Sequence, residues 1–192
     1  MCLNYCKNEQ CFVTLSQIFY FQKMDKKKVT AKGLTFETYL TSEEIAKQVN
    51  RVAQEIKNDC GDEAPLFLCV LNGAFVFAAD LFRACDIAGS EMAFIRYKSY
   101  EGMSTTGTVR QVLGLEEDIT GRTVVVIEDI VDTGITAKAL IADLKAKNPK
   151  TVKFATLLFK PESLRTDAKH EYVGFEITAK IIVGYGLDVD GE

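Results

Sequence analysis

Short, unbroken apolar runs alternate along this chain with stretches of helical periodicity. Residues 66–71, 123–127 and 151–159 are rich in leucine and β-branched side chains. Such runs read as strands buried on both faces of a parallel sheet. Thr41-Ser42-Glu43-Glu44 has the capping-box spacing, and Ile45, Val49, Val52 and Ile56 follow at helical intervals until Gly61. This predicts a helix with a defined start and stop. Helical patterns follow at 74–88 and 137–144, the second with Thr136 placed to cap it. Strand-like segments at 91–97 and 108–115 flank a polar loop, and Asn148-Pro149 stops the third helix before the next strand. Strand and helix in alternation predict a doubly wound α/β domain with a mainly parallel sheet and its site at the strands' C-terminal edge.

Composition narrows the class. A chain of 192 residues, 47% hydrophobic and 26% charged, is an ordinary globular chain with room for one substantial core. No run approaches the roughly 18 apolar residues of a membrane span. The net charge of −4 argues against a nucleic-acid binder held by a basic face. The six cysteines, without a convincing secretory segment, read as reduced thiols of a cytoplasmic protein. A zinc site on Cys2, Cys6 and Cys11 lacks a fourth ligand, since the single histidine, His170, is remote. Residues 1–24 carry an interrupted apolar run with no basic start. They are expected to lie outside the fold, the natural chain beginning at Met24.

The chemistry concentrates at Val126-Ile127-Glu128-Asp129-Ile130-Val131-Asp132-Thr133-Gly134-Ile135-Thr136. A buried strand here runs into a small-residue turn and then a helix. The amides of Thr133, Gly134, Ile135 and Thr136 lack intrahelical partners, and the helix dipole favours an anion there. Gly134 permits close approach of the backbone and positive φ. Glu128, Asp129 and Asp132 would repel a phosphate, so they must address sugar hydroxyls or the hydration shell of a divalent cation. The implied ligand is a phosphorylated sugar with Mg²⁺ nearby. An acidic loop that merely joins strand to helix is the plain alternative. The spacing of a nucleotide P-loop is missing.

This stretch resembles the ribose-phosphate signature of the type I phosphoribosyltransferases, in the form seen in the hypoxanthine–guanine branch. The likeness spans residues 30–190. It implies a phosphoribosyltransferase domain over residues 30–192, with a small hood formed by the terminal segments. It also implies transfer of a 5-phosphoribosyl group from phosphoribosyl diphosphate to hypoxanthine or guanine, in a homodimer or homotetramer. Asp132 would be the general base, and Glu128 and Asp129 would orient the ribose hydroxyls and, with Asp188, hold Mg²⁺. Asn72 and Gly73 match the loop that binds diphosphate, where the peptide bond is often cis. Ser99 and Tyr100 match the catalytic lid. Lys160 would donate to the purine's 6-oxo group, Ile181 would lie on the base, and Ile182 would meet its edge through the backbone, beside Asp188. Ile181 stands where relatives often carry an aromatic residue, which makes a xanthine–guanine preference the runner-up. A regulator that senses phosphoribosyl diphosphate without catalysis is the third reading, opposed by the acidic balance and the hydroxyl-rich lid.

Overall fold

The computed structural model describes residues 3–6, 28–31, 34–100, 108–167, 169–178 and 182–187, with the side chains of 3–6, 28–31, 34–36, 98–100 and 108–112 excepted. Its elements are β1 (Leu3–Cys6), β2 (Lys28–Ala31), β3 (Leu34–Leu40), α1 (Ser42–Cys60), β4 (Leu66–Leu71), α2 (Phe75–Cys85) and β5 (Glu91–Tyr100). There follow β6 (Thr108–Leu113), β7 (Thr123–Val131), α3 (Ile135–Lys145), β8 (Thr151–Phe159), β9 (Tyr172–Glu176) and β10 (Ile182–Val183). The main sheet has the order β6-β5-β4-β7-β8-β9. Its strands run parallel except β6, which returns antiparallel along β5 at one edge.

Burial on both faces explains the apolar runs. Along β7, Val125 and Ile127 join a core with Ile45, Val49, Val52 and Ile56 of α1 and Phe77 and Leu81 of α2. Val124 and Val126 face the other way, into a core with Leu140 and Leu144 of α3. Helices therefore cover both faces, as the alternation predicted. Thr41 caps α1 as expected: Glu44 N donates to Thr41 Oγ1 at 3.2 Å, and Thr41 N donates to Glu44 Oε2 at 2.8 Å. Cys60, Cys69 and Cys85 are buried free thiols, and burial pushes those of Cys69 and Cys85 up to about 12.

Two local expectations are corrected. Helix α2 is shorter than 74–88, because Asp86 adopts a left-handed conformation at φ 46° and ends it. Thr136 does not cap α3. The cap is Gly134 at φ 75°, and it supplies no side-chain hydrogen bond. The left-handed backbone at 134 starts the helix two residues earlier than a threonine cap would.

A second, antiparallel sheet, β10-β1-β3-β2, gathers both ends of the chain into a small hood. Leu3–Cys6 therefore form a strand of the fold, although residues 1–24 were expected to stand apart from it. The other residues of 1–24 lie outside those described.

His170 packs its ring against Phe154 and Phe159, with both centroid distances at 5.2 Å. Its two nitrogens are buried without hydrogen-bond partners among the described residues. Burial holds this imidazole below its ordinary value, opposed by the charge of Glu171. The unfolded chain therefore takes up a proton that the native state resists. The resulting stability is complete above the unfolded value of about 6.5 and is lost as pH falls below it. Thermal melting of the wild type and His170→Leu at about pH 7.5 and about pH 5.5 reads this. The difference in Tm should move in favour of the leucine variant at the lower pH; a constant difference would contradict a buried neutral imidazole.

Candidate active site

Chain order reverses direction between β4 and β7. From β4 the chain moves outward through α2 to β5, whereas β7 adds on the other side and leads through α3 to β8. The loops leaving β4 and β7 thus diverge to opposite faces and leave a crevice at the strands' C-terminal ends, where open α/β sheets bind ligands. The residues singled out at 72–73 and 128–136 border this crevice.

The first loop is pressed onto the acidic strand end. The Leu71–Asn72 peptide is cis. A Cβ on Gly73 would lie 1.7 Å from Asp129 Oδ2, so any other residue there must displace the Asp129 carboxylate. Asp129 is also held through Oδ1, which accepts from Ile130 N at 2.8 Å. The β7–β8 ladder runs to Glu128↔Thr156 and resumes at Ile130↔Leu158, passing over Asp129. From the hood side, Gly186 approaches so closely that a Cβ there would sit 2.5 Å from the Gly73 carbonyl oxygen. One point thus brings together three segments remote in sequence.

Glu128 turns the other way. It lines a pocket of about 130 Å³ together with Asp132, Thr133, Gly134 and Thr136. Its Oε2 is buried with no hydrogen-bond partner among the described residues. Burial drives this carboxyl well above its ordinary value, and the charge of Asp129 adds to the rise. An orphaned acceptor on a pocket-lining residue fits either a donating sugar hydroxyl or a hard cation. Among the described residues no three His, Cys, Asp or Glu side chains converge as a ready metal cage. A Mg²⁺ that keeps its waters and binds substrate oxygens needs only one or two carboxylates, so the residues present fit it.

The turn itself has its amides available. Gly134 O accepts the first helical bond from Lys138 N at 2.9 Å, and no side chain caps the helix. Ile135 N has only a long 3.5 Å contact with Thr133 Oγ1. The dipole of α3 and amides without a capping side chain are the kind of groups that can receive an anion, and Thr133, Gly134 and Thr136 line the pocket.

Lys160 and Asp132 were expected to act on the same ligand, and the structure joins them directly. Lys160 Nζ donates to Asp132 Oδ2 at 2.9 Å, with the lysine side chain 12% exposed and the aspartate 49%. Burial alone would raise the Asp132 carboxyl. The hydrogen bond and charge of Lys160, with Ser163 and Arg165, outweigh it and hold the group below its ordinary value. Asp132 therefore stands ionised beside the largely enclosed side chain of Lys160.

The remaining expected residues are placed unevenly. Ser99 and Tyr100 end β5, their backbones paired with Val109 and Thr108. Ile182 is buried in β10. Ile181 and Asp188 lie outside the described residues. Sequence reading missed Gly186, Leu164 and Thr166. A Cβ on Gly134 would meet Thr166 Oγ1 at 2.5 Å and Leu164 Cδ1 at 2.7 Å. Nothing in a polar loop at 160–170 signals that contact. A wider depression of about 380 Å³, lined by Glu116, Glu117, Asp118 and Lys147, lies at the opposite edge of the sheet. Its carboxylates oppose the anion that the turn invites.

Residues 35–190 match the family described as the phosphoribosyl transferase domain. The hypoxanthine-guanine phosphoribosyltransferase of Aquifex aeolicus is 38% identical over 159 residues, covering 82% of this chain and 89% of the relative. A crystal structure of a hypoxanthine-guanine phosphoribosyltransferase from Bacillus anthracis superposes with a TM-score of 0.71 at 38% identity, covering 78% of this chain and 86% of that one. A hypoxanthine phosphoribosyltransferase from Trypanosoma cruzi, in a ternary substrates complex, gives a TM-score of 0.72 at 38% identity over the same shares. Fold, signature and relatives agree, and the chain belongs to the phosphoribosyltransferase family.

Proposed function

We propose that this chain transfers the 5-phosphoribosyl group of phosphoribosyl diphosphate to hypoxanthine or guanine, releasing diphosphate and the nucleoside monophosphate. The observation that carries this reading is the Lys160–Asp132 pair beside the uncapped turn. A 6-oxopurine presents a carbonyl acceptor and a ring N–H donor side by side. Opening the pair offers the ammonium to that carbonyl and the carboxylate to that N–H, so both charges stay satisfied. A 6-aminopurine brings a donor to the ammonium and leaves a buried charge unpaired, which penalises it strongly.

The phosphate turn receives the 5′-phosphate on its amides and the α3 dipole. Glu128 and Asp129 orient the ribose hydroxyls, and the orphaned Oε2 of Glu128 supports that role. The loop at Asn72 and Gly73 receives the diphosphate through its backbone, and Ser99 and Tyr100 belong to the lid that excludes water from the reacting centre. Glu128, Asp129 and Asp188 would hold Mg²⁺, which would supply charge neutralisation of the leaving group. As the bond from the ribose C1′ to diphosphate breaks and the bond to the purine nitrogen forms, Asp132 takes the ring proton. Drawing Lys160 onto the purine oxygen frees the Asp132 carboxylate, which the lysine otherwise holds by a hydrogen bond, to accept the ring N–H.

The direct test is competition kinetics with hypoxanthine, guanine, xanthine and adenine. Turnover of the first two and rejection of adenine are expected; adenine as the preferred base would overturn the reading. Asp132→Asn keeps the shape and loses the base, so kcat should fall by roughly 10²- to 10⁴-fold while nucleotide binding persists. Undiminished turnover would remove Asp132 from that role. Gly73→Ala forces a methyl into the Asp129 carboxylate and should lower kcat/KM for phosphoribosyl diphosphate by about 10²-fold without lowering Tm to match. Wild-type kinetics in this variant would show that the Gly73–Asp129 contact does not shape the site.

A further inference from the structure

The segment that follows β8 lies along the back of the phosphate turn and contacts it residue after residue. Lys160 N donates to Val131 O at 2.9 Å, and Arg165 N donates to Thr133 O at 3.0 Å. Thr166 Oγ1 reaches Gly134 O at 3.4 Å, a long contact, while Thr166 and Leu164 fill the space that a side chain on Gly134 would need. At the margins, Lys160 Nζ holds Asp132 at 2.9 Å, and Lys138 Nζ of α3 pairs with Asp167 at 2.8 Å.

This arrangement determines where the turn's amides point. A trans peptide is planar, with its C=O and N–H directed oppositely. The carbonyl of Thr133 shares a peptide plane with the amide of Gly134, and the carbonyl of Gly134 with the amide of Ile135. Tying those carbonyls to residues 165 and 166 therefore turns the amides of 134 and 135 away from the segment. The opposite side holds the pocket lined by Thr133, Gly134 and Thr136. No side chain caps α3, and the helical bond from Lys138 N bears on the Gly134 carbonyl, so the Thr133 carbonyl is the one whose partner, Arg165 N, comes from the strap.

We propose that residues 160–167 form a strap that orients the phosphate turn, with the Arg165 amide and Thr166 as its positioning elements for the 5′-phosphate. This rests on the phosphoribosyl reading above and extends it. The strap begins at Lys160, the residue assigned to the purine, so the base and phosphate subsites share one continuous segment.

The test compares two substitutions at residue 165. Arg165→Ala removes the side chain and keeps the amide; Arg165→Pro removes the amide as well. Leu164 already has the extended conformation, φ −63° and ψ 127°, that a residue before proline adopts. Calorimetric titration with GMP and with guanosine, which lacks the phosphate, is run on each. The proline variant should bind GMP about five- to tenfold more weakly than the alanine variant, the scale of one lost hydrogen bond, with guanosine affinity equal in the two. Equal GMP affinities would overturn the strap, as would parallel losses of GMP and guanosine. Should the proline variant not fold, Thr166→Val against Thr166→Ser reads the same split: the serine variant keeps GMP affinity, and the valine variant loses it selectively. Wild-type protein that binds neither GMP nor phosphoribosyl diphosphate would instead overturn the functional reading, and the strap with it.

Discussion

Burial of β7 on both faces is the constraint from which the site follows. Val124, Val125, Val126 and Ile127 are fully enclosed by helices on either side. No polar group can be accommodated there without a partner. Chemistry can enter only where the strand emerges from between the helices, and Glu128 is the first polar side chain to do so. The reversal of chain order beside β7 then parts the neighbouring loops at that level and opens the crevice.

Within the crevice, charge is managed locally. A chain of net charge −4 has no overall field to attract a polyanion. What it offers are a helix N-terminus without a side-chain cap and one lysine that is nearly enclosed. The carboxylates are separated by the pleat. Asp129 is turned to the Gly73 loop, Glu128 to the pocket, and Asp132 to Lys160. Three acids close in sequence thus face three different surroundings, although the charge of Asp129 still bears on Glu128.

Much of this was legible in advance. The capping box at Thr41, the buried runs of β4, β7 and β8, and the strand–turn–helix at 133–136 are local patterns. Hydrophobic period and cap chemistry report on residues a few positions apart. The cap at Thr136 was misread for a related reason: its hydroxyl suits a cap, but the positive φ of Gly134 decided where the helix begins. Leu3–Cys6 were misread because a strand's partners can lie anywhere. Here they are β3 and β10, the second from the far end of the chain.

By itself, then, the sequence determined the layer order, the strand–turn–helix at 133–136 and the types of group gathered around it, since each follows from neighbours along the chain. Tertiary structure alone decided that Gly73 rests on Asp129, that Gly186 rests on Gly73, and that Lys160 faces Asp132. It also drew the segment after β8 across the back of the turn. These are steric and hydrogen-bonding matches between residues far apart in sequence. Their geometry exists only once the sheet has set strand beside strand.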